Sequence, residues 1–164
     1  MDGEYPRRLH GMSPRKDVSM TPEEISGFLS TPRSCVLTTL DADGWPHSAA
    51  MWFVPGDSFL SMWTYRRSQK TVNARRDPRA SVVVEAGTRY GELRGVMVRG
   101  RLELVEDVVR VAEIGRGLYE RYMIPELGTS FEDGPAVEVE RQSHKRVGPI
   151  LPFDRVTSWD LGKL

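Results

Sequence analysis

The chain has 164 residues, 39% hydrophobic and 28% charged, enough apolar material for one domain with a core. Its 23 basic and 23 acidic residues sum to a formal net charge of zero, which argues against nucleic-acid binding by bulk charge. No run of about 18 apolar residues occurs, so no membrane span is expected. Met1 to Lys16 carries basic residues without the apolar segment of a secretory signal. The expectation is a soluble cytoplasmic protein. One cysteine, Cys35, excludes an internal disulfide and any multi-cysteine metal site.

Residues 1–20 are polar and aperiodic and read as a flexible arm; residues 21–164 read as a single domain. Thr21 caps a first helix, with Pro22 at its first position and Glu24 completing a capping box. Ile25, Phe28 and Leu29 would face the core, and Pro32 ends the helix. Cys35 to Leu40 is β-branched and apolar, a strand. Asp41 to Gly44 is a hairpin turn, and Trp45 to Val54 is the returning strand. Pro55 to Asp57 turns into a third strand, Phe59 to Thr64. Ser68 caps a short helix that runs to Arg76, before Pro78. Arg79 to Glu85 reads as a buried strand, and Leu93 to Val105 as a long one in which Gly95 and Gly100 mark bends or bulges. Glu106 to Met123 is the longest helical stretch, with Val109, Ala112, Ile114, Leu118, Tyr119 and Tyr122 on its apolar side. Pro125 to Pro135 reads as a loop, and Ala136 to Glu140 is too short to assign. Val147 to Leu151 and Arg155 to Trp159 are short apolar runs split by Pro152. Hairpin-linked strands with few helices indicate an antiparallel barrel or sandwich.

No nucleophile elbow, phosphate-binding P-loop, dinucleotide fingerprint or zinc-protease motif is present. His10, His47 and His144 lack ligand spacing, so no metal site is expected. Cys35 opens a buried strand with no basic neighbour to activate it. The segment from Thr64 to Arg79 stands out: six basic residues against one acid, a net of +5. It opens a helix, and its amides together with Thr64, Ser68 and Lys70 would form an anion site; the competing reading is a solvated basic helix. From Glu103 to Glu140, ten acids face three bases, a net of −7. These opposed regions imply ion pairing within the fold or self-association.

Four stretches resemble one family. Val36 to Phe53, with its Leu37-Thr38-Thr39-Leu40 and Asp43-Gly44-Trp45-Pro46-His47-Ser48 runs, is similar to the first hairpin of the pyridoxamine-phosphate-oxidase-like, flavin-binding split barrels. Thr64, Ser68, Lys70, Asn73 and Asp77-Pro78-Arg79 resemble that family's phosphate-binding stretch. Leu93-Arg94-Gly95 with Arg99 to Leu104 resembles a long later strand. The ending from Arg155 to Asp160, with Lys163 and Leu164, is similar to actinobacterial members that use the deazaflavin coenzyme F-420.

The resemblance implies a mainly β fold with flanking helices, a six-stranded antiparallel split barrel, acting as a homodimer with cofactor sites at the interface. It places Pro46, His47, Ser48, Ala49, Ala50, Met51 and Trp52 along the isoalloxazine ring, continued by Met62, Trp63 and Thr64. It sets Ser68, Gln69 and Lys70 at the phosphate and brings Trp159 to the site, from the partner subunit in one arrangement. Arg66, Arg67 and Arg75 join Lys70 as partners for the deazaflavin's anionic tail. The implied activity is hydride transfer between F-420, or alternatively FMN, and a small planar unsaturated substrate. The alternative is a non-catalytic F-420, FMN or haem binder, a carrier or sensor.

The sequence also departs from the oxidases that name the family. His47 to Trp52 holds neither Arg nor Lys, Gln69 replaces an arginine, and no Arg-x-His motif occurs from Ser158 to Leu164. These departures argue against oxidation of pyridoxamine phosphate.

Overall fold

The structure is a computed structural model that describes residues 18–164. The arm expected over residues 1–17 lies outside the described residues. Residues 18–20 are held in place. Met20 is buried, its N–H donates to Ser158 Oγ at 3.0 Å, and the Val18 carbonyl accepts from the Asp160 N–H.

Helix α1 (Pro22–Ser30) begins with the expected capping box. The Glu24 N–H donates to Thr21 Oγ1, and the Thr21 N–H donates back to Glu24 Oε2. Strands β1 (Cys35–Leu40) and β2 (Pro46–Met51) form the hairpin, in register from Cys35 opposite Met51 to Leu40 opposite Pro46. Gly44 takes a φ of +87° in the turn, which a side chain would strain.

The chain continues through β3 (Val54–Pro55), β4 (Phe59–Ser61), β5 (Thr64–Tyr65), α2 (Gln69–Arg76), β6 (Arg79–Ala86), β7 (Arg94–Arg101) and β8 (Glu103–Val105). It ends with α3 (Val108–Leu118), a π-helical turn (Tyr119–Met123), α4 (Ile124–Leu127), α5 (Ala136–Ser143), β9 (Arg146–Pro152) and β10 (Arg155–Asp160). The first sheet has the order β10-β7-β6-β1-β2; the second has β3-β4-β9-β5, with β8 also paired to β9. Every pairing is antiparallel. This is the split barrel.

Two expected strands are interrupted for a common reason. The 45–54 strand breaks at Trp52–Phe53 and the 93–105 strand at Leu102. At both places the chain passes from the first sheet to the second, so each break is a barrel corner. The buried Leu102 bonds its N–H to the Pro78 carbonyl there. Gly95 and Gly100 are not bulges, because β6 and β7 pair without interruption from Arg79–Arg101 to Ala86–Arg94. Gly95 is needed for close approach: a Cβ there would sit 2.3 Å from the Trp159 ring.

The main core lies against the inner face of the first sheet: Leu37, Val82, Val84, Val96 and Val98, closed by Phe28, Phe53, Leu60 and Leu151. A second cluster joins Trp63, Val105, Val111, Leu118 and Val139 under α3 and α5. Of the helical face expected in the Glu106–Met123 stretch, Leu118 is buried in this cluster and Ile114, Tyr119 and Tyr122 pack against it. Val111 and Gly115 are also buried, whereas Val109 is exposed. Ala136 to Glu140, left unassigned, is the body of α5.

Candidate functional site

The exposed site runs along β2, the edge strand of the first sheet. An edge strand offers unpaired N–H and C=O groups on its free side. Its side chains alternate: Pro46, Ser48 and Ala50 are exposed, while His47, Ala49 and Met51 are half-buried on the opposite face. The structure therefore brings only the first three to one open surface. Small side chains at Ser48 and Ala50 let a flat molecule approach the backbone closely. Thr38 on β1 lies directly opposite Ser48, and their hydroxyls meet at 2.9 Å.

At the lower end of β2, Trp52 is 46% exposed and stacks on Tyr122, with ring centroids 4.8 Å apart and planes 5° from parallel. The Tyr122 hydroxyl donates to the Arg33 carbonyl at 2.7 Å, which fixes the ring. The π-helical turn also aims Arg121 at the carbonyls of Leu29, Ser30 and Thr31, which would otherwise be orphans at the end of α1.

At the upper end, α2 begins beside the hairpin turn. Asn73, fully buried, donates to Thr39 Oγ1 and to Asp41 Oδ1, which ties α2 to β1. Ser68 stands at the N-cap, but its side chain makes no cap hydrogen bond. Its hydroxyl meets Thr64 Oγ1 at 3.3 Å and Thr71 Oγ1 at 3.0 Å instead. The Thr71 and Val72 amides bond the Ser68 carbonyl, leaving those of Gln69 and Lys70 as first-turn donors. Gln69 is drawn towards Asn73 Oδ1, at 2.9 Å.

Lys70 is different. Among the described residues it has neither a hydrogen bond nor an ion pair, and partial burial lowers its pKa by desolvation. The other cations of the +5 segment are largely committed. Arg66 and Arg75 both bond Glu106, at 3.1 and 2.7 Å, and Arg76 bonds the Leu40 carbonyl. Arg79 is paired with Asp77 at 2.6 Å, and that hydrogen bond holds the Asp77 carboxyl down at about 2. Glu106 belongs to the −7 region, so the two opposed charge regions meet within one chain.

Three expected contacts change. Met62 is 0% exposed in the main core and offers nothing to a ligand on the surface. Trp63 is buried in the second core cluster, against Tyr119 and under the Arg146 guanidinium. Thr64 is buried, and its hydroxyl is used internally. Both Met62 and Trp63 sit between β4 and β5, where the chain turns its side chains inward. Trp159 lies on β10, at the sheet edge opposite β2, about 19 Å away across four strand spacings. Within one chain it does not join the β2 surface. His47 and His144 do not converge, no group of three potential metal ligands occurs among the described residues, and His10 lies outside them. Sequence reasoning missed Thr71, whose hydroxyl meets that of Ser68 and helps brace this corner. The spacing Thr64, Ser68, Thr71 was the available signal, three hydroxyls brought together by the first turn of a helix.

The pyridoxamine 5'-phosphate oxidase family matches residues 21–152. The chain belongs to this family. The match takes in β2, α2 and the corner between them. Among solved structures, a conserved hypothetical protein of Mycobacterium tuberculosis shares 36% identity at a TM-score of 0.83, over 93% of this chain and 92% of that one. An F-420 reductase shares 26% identity at a TM-score of 0.65, over 83% and 98%. A haem storage protein of Vibrio cholerae, 14% identical at a TM-score of 0.64 over 85% and 96%, shares the fold. No curated protein matches. Among the described residues no helix is long and apolar enough to cross a membrane.

Proposed function

We propose that the chain is an oxidoreductase of this family that uses coenzyme F-420, with FMN as the alternative, on a small planar unsaturated substrate. The observation that carries the reading is Lys70, an unpaired, half-buried ammonium on the first turn of α2, at one end of an open edge strand. An unpartnered desolvated cation is costly, and a phosphate relieves it. The residues present fit a flavin-type group. Lys70 and the Gln69 and Lys70 amides would hold the phosphate, Pro46, Ser48 and Ala50 would face the ring, and Trp52 would bound its far end. Arg67, exposed and unpaired among the described residues, is the free arginine for an anionic tail. The similarity to an F-420 reductase supports the deazaflavin over FMN. The departures at Gln69 and in the ending argue against the namesake oxidation.

The bound deazaflavin or flavin supplies the hydride chemistry. The chain's part is positioning: the β2 edge orients the ring through backbone groups, and Lys70 fixes its tail. A second copy supplies the cover. The outer face of the first sheet carries Val36, Val83 and Met97 in one cross-strand row with Ala50, and Val36 is 44% exposed. Packing two such faces together would bring Trp159 of the partner subunit towards β2 and exclude water from the ring.

The test is a fluorescence titration of the apo-protein with F-420 and with FMN, followed by turnover assays with reduced cofactor and a panel of planar acceptors. Micromolar binding with turnover supports the enzyme. Binding without turnover makes the chain a carrier or sensor. Absence of binding to either cofactor overturns the reading, and a haem Soret band in the purified protein replaces it.

A further inference from the structure

A second basic site lies at the other end of the first sheet, about 20 Å along β1 from α2. It does not depend on the cofactor reading. A cavity of about 270 Å³ opens between α1 and the starts of β1 and β7, with Phe28 as its floor and Thr31, Arg33, Arg94, Glu24 and Asp160 on its walls. The Arg33 and Arg94 guanidinium groups lie 4.4 and 5.6 Å from the centre of the Phe28 ring.

Among the described residues neither arginine has an ion pair. The two acids of the cavity are engaged elsewhere. Glu24 Oε2 accepts from Lys163 Nζ at 2.5 Å and from the Thr21 N–H. Asp160 stands directly opposite Arg94 across the β7–β10 pair, yet its Oδ1 accepts from the Gly162 N–H. The Arg33 guanidinium makes one hydrogen bond among the described residues, a long one to the Phe28 carbonyl. Burial, then repulsion from Arg94 and Arg121, lowers its pKa. Arg33 and Arg94 thus face the cavity with no ion pair of their own, and a bound anion would relieve their mutual repulsion.

We infer that this cavity binds the carboxylate of a small organic acid, gripped between Arg33 and Arg94 above the Phe28 ring. The guanidinium fork matches the two carboxylate oxygens, and the cavity takes the carbon skeleton. Inorganic phosphate has no carbon skeleton to fill the cavity, so it should bind more weakly than an organic carboxylate.

The test is calorimetric titration of the full chain, at low ionic strength, with succinate, its neutral diamide and inorganic phosphate. The expected result is millimolar or tighter succinate binding, none for the diamide, and weaker binding of phosphate. Arg33→Gln and Arg94→Gln should each weaken succinate about tenfold or more. Arg33→Lys, which keeps the charge and loses the fork, should also weaken it. Arg141→Gln, at a surface arginine paired with Glu138, should leave it unchanged. If Arg33→Gln unfolds through loss of its contact with Phe28, Arg94→Gln, at an exposed position, decides the matter. Succinate binding unchanged by Arg94→Gln, no binding at millimolar concentration, or tighter binding of phosphate overturns the assignment.

Discussion

The two faces of the first sheet are built from the same strands and have opposite fates. The inner face presents Leu37, Val82, Val84, Val96 and Val98, each buried to within about a hundredth of full exposure. The outer face presents Val36, Thr38, Ser48, Ala50, Val83 and Met97, all at least partly open. Alternation with period two produces both faces, yet neither is charged in its centre. A sheet with one wet face ordinarily alternates apolar with polar residues. Small and apolar residues on the second face are what a flat ligand or another sheet would need. The inner face builds the domain, and the outer face is where function is proposed.

Substitutions can break this contrast or sharpen it. The largest effect belongs to the inner face. Leu37→Ala should cost about 2–5 kcal/mol of folding free energy in a urea melt, because its surroundings collapse only partly around the lost volume. A loss comparable to that of an outer-face residue would remove the distinction. Next is the end of the outer surface. Lys70→Gln should weaken F-420 binding by about ten- to a hundredfold with little change in melting temperature. Burial lowers the pKa of its ammonium, so affinity should also fall on the alkaline side, at a lower pH than the ordinary lysine value of 10.5 would give.

Cys35 on the inner face gives a pH-dependent probe. Burial pushes its thiol from 9.0 up to about 12. The folded state therefore holds the proton that the unfolded state releases above about pH 9. Stability is unaffected below that point and should fall by about 1.4 kcal/mol per pH unit between about 9 and 12. Melts of the parent and Cys35→Ala should converge as the pH rises through this window. A constant gap would show that the thiol is hydrated. The smallest effect on folding is at Val36. Val36→Ala should change stability by no more than about 0.5 kcal/mol. Val36→Arg should convert a two-chain mass into a one-chain mass by light scattering, and a retained two-chain mass would take the outer face out of the subunit contact.

Local chemistry made much of this legible without coordinates. Thr21, Pro22 and Glu24 form a complete helix start because the partners of a capping box lie within four residues of one another. The β1–β2 hairpin was legible from an apolar run, an Asp-Gly turn and a return. The corner at Ser68–Lys70 was located by its charge, although which of its cations stayed free was not. That depended on Glu106, some thirty to forty residues away, which occupies Arg66 and Arg75 and leaves Lys70 unpaired.

The sequence by itself determined the helix caps, the strand-forming segments, the family resemblance and the position of the basic segment. All of these rest on short-range sterics, hydrogen bonding and periodicity. The tertiary structure alone decided where the strands turn corners from one sheet to the other, and it sent Met62 and Trp63 inward. It set Trp159 at the edge opposite β2, stacked Trp52 on Tyr122, and brought Arg33 and Arg94 from two distant segments to one cavity. The physical reason is that burial and charge compensation are properties of neighbours in space, and a strand's alternation says that it has two faces without saying what will cover either.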